Sequence, residues 1–176
     1  QRVIPTFLTI PTNVSGGVGD TVSVPVNFSN GWNIDTTVFS IDFDEFCLSF
    51  NPALPDAVTF NLPVDFITTW TYDGADTDGE IDISIHDHIP PRTVIPNGTI
   101  VRVKLIIKAT CMPAPGSVNN ARVGFSSTPP ASFGSLGQSI PGYASDGFVR
   151  ILSGKLGDCN GDGLVDAGDL SALVLE

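Results

Sequence analysis

Apolar residues recur at every second position through most of this chain, and that period fits strands with one buried and one wetted face. Along Thr21 to Phe28, Val22, Val24, Val26 and Phe28 share one side while Thr21, Ser23 and Asn27 share the other. From Val38 to Phe50 the apolar parity changes. Phe39, Ile41 and Phe43 are odd and Phe46, Leu48 and Phe50 are even, so a bulge or corner is predicted near Asp44 and Glu45. Further strands are predicted at Thr6–Ile10, Ala57–Leu62, Phe66–Tyr72, Glu80–His86, Thr99–Thr110, Ala121–Phe125 and Gly147–Leu152. In Thr99–Thr110 the apolar Val101, Val103, Leu105 and Ile107 stand opposite Arg102, Lys104 and Lys108. Gly, Pro, Asn and Asp punctuate these runs, as at Asp73-Gly74 and Pro96-Asn97-Gly98. About nine short strands at this spacing predict an all-β sandwich.

The 176 residues carry 8 Lys and Arg against 19 Asp and Glu, a formal net charge of −11. A duplex binder needs a basic face, so nucleic acid is excluded as the expected partner. Sixteen of the acids are aspartates, which favour turns and hard-cation sites over helix interiors. No apolar run reaches the roughly 18 residues of a membrane span. The first residue is Gln1 rather than Met, which fits a fragment or a product of signal-peptide removal, and an extracellular or cell-surface location is expected. Cys47, Cys111 and Cys159 are too scattered for a disulfide framework or a thiolate zinc site. They leave two arrangements open: a Cys47–Cys111 pair with Cys159 free, or three reduced thiols.

After Leu152 the pattern changes in kind, dividing the chain into a sandwich at 1–153 and a tail at 154–176. Asp158, Asn160, Asp162, Asp166 and Asp169 hold places one, three, five, nine and twelve of an EF-hand-type loop, with Gly163 at the sixth, where such loops turn sharply. Alternate side-chain oxygens would converge on one Ca2+, Leu164 would lend its carbonyl, and Asp166 would act through water. Four carboxylates within twelve residues repel one another without a cation, so calcium is expected to order the segment. Leu170, Leu173 and Val174 then fall at helical spacing.

The closing residue is Asp169 rather than the usual Glu. With the helix that follows, this tail resembles a single dockerin repeat over about 20 residues. Dockerins carry two repeats and this chain holds one. The sandwich in turn resembles a cohesin module, over about residues 10–152. The likeness is carried by Gly19-Asp20-Thr-Val-Ser-Val-Pro-Val-Asn-Phe28, Phe39-Ser-Ile-Asp-Phe43, Asp78-Gly-Glu-Ile-Asp-Ile83, Gly137-Gln-Ser-Ile-Pro141 and Asp146-Gly-Phe-Val-Arg-Ile151. Cys47–Val64 departs from that family in length and in its cysteine. The resemblance implies a nine-stranded jelly-roll sandwich that binds dockerins through one sheet face, without catalysis.

Together these observations predict a secreted, calcium-dependent adhesion or assembly protein. A receptor-like module and a ligand-like tail on one chain form a heterologous pair of surfaces, which builds open chains. Ala167, Gly168, Leu170, Leu173 and Val174 are the residues expected to dock, either on the sandwich of the next copy, on a cohesin-bearing protein, or back on their own sandwich end as a cap. The alternative is a carbohydrate-binding module using Trp70 and Tyr72, with a calcium-stabilised cap. His86 and His88 are too few for a zinc or catalytic centre. Asp73, Asp76, Asp78 and Glu80 match no standard calcium loop and are expected to form a solvated turn. Asn13, Asn27 and Asn97 lie in glycosylation sequons.

Overall fold

A computed structural model describes residues 5–74, 79–87, 89–114 and 116–153. Within them the chain forms fourteen strand segments and one short 3-10 turn, Ala109–Cys111. In order, the strands are β1 (Thr6–Thr9), β2 (Val14–Gly17), β3 (Thr21–Ser29), β4 (Thr36–Phe43), β5 (Leu48–Phe50), β6 (Val58–Phe60) and β7 (Ile67–Tyr72). They continue as β8 (Ile81–His86), β9 (Gly98–Ile107), β10 (Val118–Phe125), β11 (Ser132–Ser135), β12 (Gln138–Ile140), β13 (Gly142–Ser145) and β14 (Gly147–Leu152).

These strands make two sheets. The first runs β13-β1-β3-β9-β5, with β6 also on β9; the second runs β12-β11-β4-β10-β14-β2, with β8 on β4 and β7 on β8. Two parallel pairs, β1 with β13 and β2 with β14, bind the beginning of the described chain to its end once in each sheet. The chain therefore changes sheet twice in parallel, after β1 and after β13. At the second change Gly147 sits where a Cβ would lie 2.3 Å from the Pro11 carbonyl oxygen and 2.4 Å from that of Ile10, so only glycine fits.

The alternating residues face each other between the sheets. Val22, Val24, Val26, Phe28, Val101, Val103, Leu105 and Ile107 come from the first, and Phe39, Ile41, Phe43, Ile81, Ile83, Ile85, Val123, Val149 and Ile151 from the second; all are buried. The expected parity change at Asp44 and Glu45 is a corner. β4 pairs with β8 and β10 in one sheet and β5 pairs with β9 in the other. Cys47 and Cys111 are joined by a disulfide, with their Cα atoms 4.7 Å apart. This resolves the open cysteine question for that pair.

The expected strand count of nine is too low. β2, β11, β12 and β13 are three or four residues long and rich in Gly and Ser, so they show no apolar alternation. The tail at 154–176 lies outside the described residues, as do Asp76, Asp78 and His88. Among the described residues, no helix is long and apolar enough to cross a membrane.

Candidate functional site

The outward face of the second sheet is set by register. Ile67, His86 and Thr36 form one cross-strand row, Thr69, Ser84, Val38 and Ser132 the next, and Thr71, Asp82 and Ser40 a third. The third row is hydrogen-bonded, with Ser40 Oγ donating to Asp82 Oδ1 at 2.5 Å and Thr71 Oγ1 to Asp82 Oδ2 at 3.4 Å. Short Thr and Ser side chains leave a shallow recess of about 180 Å³ between Val38, Thr69, Thr71, Asp82 and Ser84, floored by Trp70 and Ile83. Val38 is 41% exposed at its rim.

Farther along the same face, Arg122 on β10 bridges two carboxylates. Its Nη1 lies 2.5 Å from Asp42 Oδ2, and its Nε and Nη2 lie 2.9 and 2.8 Å from Asp146 Oδ2. The hydrogen bond to Asp42 raises the guanidinium pKa above its ordinary value most strongly; partial burial opposes it, and Asp146 adds to the rise. Asp146 Oδ1 also accepts the Phe125 amide. The arginine is thereby fixed as a flat, partly exposed plate.

The end of the sandwich beyond Thr36 holds a polar knot. Asp35, buried, accepts from Arg92 Nη1 at 3.1 Å, from the Leu136 amide at 2.9 Å and from Thr36 Oγ1 at 3.0 Å. Asp87, also buried, accepts from the amides of Ile89 and Thr93. These carboxylates stitch loops together and present no free oxygen to a substrate. His86 shares its face with Ser84, whose Oγ is 3.5 Å from His86 Nδ1. Among the described residues, no three His, Cys, Asp or Glu side chains are placed to hold a metal ion.

Trp70 and Tyr72, the expected sugar-stacking pair of the alternative reading, do not form a platform. They point inward, half-buried, and meet Phe50 edge-on at centroid distances of 5.7 and 4.8 Å. Asp158, Asn160, Asp162, Leu164, Asp166 and Asp169, and the docking residues Ala167, Gly168, Leu170, Leu173 and Val174, all lie outside the described residues. What the sequence did not show is the recess itself, whose lining residues are scattered from Val38 to Ser84.

No family model matches this chain and no curated protein matches it. Solved structures do. A type I cohesin–dockerin complex from Clostridium thermocellum matches with a TM-score of 0.68 at 16% identity, covering 86% of this chain and 97% of that one. The sandwich has the cohesin fold. A non-cellulosomal cohesin from the hyperthermophilic archaeon Archaeoglobus fulgidus gives 0.64 at 15% identity, covering 85% and 93%. The sixth cohesin of scaffoldin B from Acetivibrio cellulolyticus, solved with a Cel5 dockerin, gives 0.62 at 24% identity, covering 84% and 99%. The likeness extends over the two-sheet sandwich.

Proposed function

We propose that this chain is a non-catalytic, extracellular adhesion module whose second-sheet outer face receives a dockerin-type loop-helix borne by another molecule, either a different protein or a further copy joined head to tail. The observation that carries this reading is the recess between Val38, Thr69 and Ser84. It lies on a face of small hydroxyl side chains; a guanidinium held in place by two carboxylates stands farther along that face. A helix can lie across such a face, because short side chains allow close backbone approach. The solved relatives of the fold include complexes with dockerins, which supports the same class of partner. Calcium enters through Asp158, Asn160, Asp162, Leu164, Asp166 and Asp169, whose spacing suits an oxygen-ligated divalent cation.

Surface-captured full-length chain, probed with the Cel5 dockerin and with a second full-length copy, in millimolar calcium and in chelator, tests this. Binding that falls at least tenfold in Thr69→Arg and Val38→Arg, with unchanged thermal unfolding, is the expected result. Binding that these substitutions leave untouched overturns the choice of face. Growth of the unmodified chain into large species in sedimentation velocity, reversed by chelator, identifies the second copy as partner.

A further inference from the structure

The disulfide joins two segments whose adjacent residues are large, apolar and turned to solvent. Phe46, next to Cys47, is 65% exposed, and Met112, next to Cys111, is 61% exposed. Thr110 Oγ1 donates to the Phe46 carbonyl, so the two segments are tied by a hydrogen bond as well as by sulfur. Asn119 Nδ2 donates to the Cys111 carbonyl at 3.0 Å, which ties β10 to the same place. Exposed apolar groups gathered in this way mark a contact surface.

The described chain ends at the same place. Leu152 pairs with Val118, and Ser153 Oγ accepts the Gly116 amide at 3.2 Å. The segment that follows is acidic, with Leu170, Leu173 and Val174 at helical spacing. Four residues, 154–157, separate Ser153 from the first loop aspartate, Asp158, and the five steps reach at most about 18 Å. The recess on the second sheet is much farther away. Phe43 pairs with Val123, so Val38 lies ten residue steps from the level of Val118, about 34 Å along the strands. A segment on so short a tether meets the Phe46 and Met112 patch at high effective concentration. Lys108, whose ammonium rests on the Glu45 carbonyl, adds a cation beside the patch for an acidic segment to approach.

The geometry points to residues 154–176 of the same chain as the occupant: Leu170, Leu173 and Val174 dock on Phe46 and Met112, capping the sandwich end and leaving the second-sheet face for a separate protein. This rests on the calcium reading of Asp158–Asp169, since calcium orders the loop that presents the apolar stripe.

The test is cleavage at Lys155 by a lysine-specific protease, on the full chain in calcium, alongside calcium uptake by titration calorimetry. Protection in the unmodified chain that is independent of protein concentration, and at least tenfold faster cleavage in both Met112→Asp and Leu173→Asp, is expected. Met112 is exposed, so its substitution leaves the sandwich folded, which circular dichroism checks. Calcium uptake with equal cleavage in the unmodified chain and Met112→Asp overturns the docking alone. Absence of calcium uptake overturns both the loop reading and the docking. Protection that disappears on dilution, with large species in sedimentation velocity, places the segment on a second copy and overturns docking within one chain.

Discussion

Gly147 and Asp35 show how single residues hold a sandwich whose chain repeatedly changes sheet. At Gly147 the obstruction is backbone, the carbonyl oxygens of Ile10 and Pro11, and backbone gives way less readily than a side chain. Gly147→Ala is expected to destabilise the fold by about 2 to 3 kcal/mol, read as a lower urea midpoint with an unchanged slope. Asp35 acts through three hydrogen bonds that tie β4, the loop bearing Arg92 and the β11–β12 turn to one carboxylate. Its side chain is 3% exposed while that of Arg92 is 29% exposed, so removing the carboxylate leaves the Leu136 amide and a partly wetted cation without their acceptor. Asp35→Ala is expected to cost about 2 to 3 kcal/mol and to speed hydrogen exchange at the Leu136 amide. Leu136 and Gly137 both have positive φ, 51° and 77°, the signature of the tight hairpin turn that this amide anchors.

Among the elements, the long strands were legible and the short ones were not. β3, β4, β8 and β9 carry their own evidence, because six to ten residues of alternation fix which side is buried. The parity change between Phe43 and Phe46 correctly signalled that the chain crosses from one sheet to the other. β2, β11, β12 and β13 owe their existence to neighbours already in place; β13, for instance, is defined by its parallel pairing with β1. The recess was hidden for a related reason: outward Thr and Ser look alike in sequence on every strand, and only register gathers Val38, Thr69 and Ser84 into one row. The Cys47–Cys111 bridge, one of two arrangements the sequence left open, closes a loop with a sequence separation of 64. Chain-entropy reasoning gives about 4 kcal/mol for a loop of that length. The double substitution of Cys47 and Cys111 by Ser is expected to lower stability by about that amount in chemical unfolding, and also to loosen the exposed Phe46 and Met112 pair.

For the whole molecule, the two ends of the sandwich have different consequences. At the Asp35 end the loops are tied by hydrogen bonds to one buried carboxylate, and at the end where β14 leaves, the disulfide is flanked by exposed Phe46 and Met112. If residues 154–176 cover that end in calcium, metal binding is linked to the stability of the sandwich, because the loop docked on a folded patch binds calcium more tightly than the undocked loop does. At calcium one hundred times the dissociation constant, such linkage contributes at most about 2.7 kcal/mol. For a chain of this size that corresponds to a rise in melting temperature of roughly 5 to 10 °C. Thermal unfolding followed by Trp fluorescence reports the sandwich directly, since Trp70 packs on Phe50 in the core and Trp32 lies in the loop after β3. The expected outcome is a calcium-dependent melting temperature in the unmodified chain and a calcium-independent one in Met112→Asp. The variant should still bind the metal, only without transmitting it to the sandwich. A melting temperature that rises equally with calcium in both proteins would mean that the metal acts on the sandwich by a route that bypasses the patch.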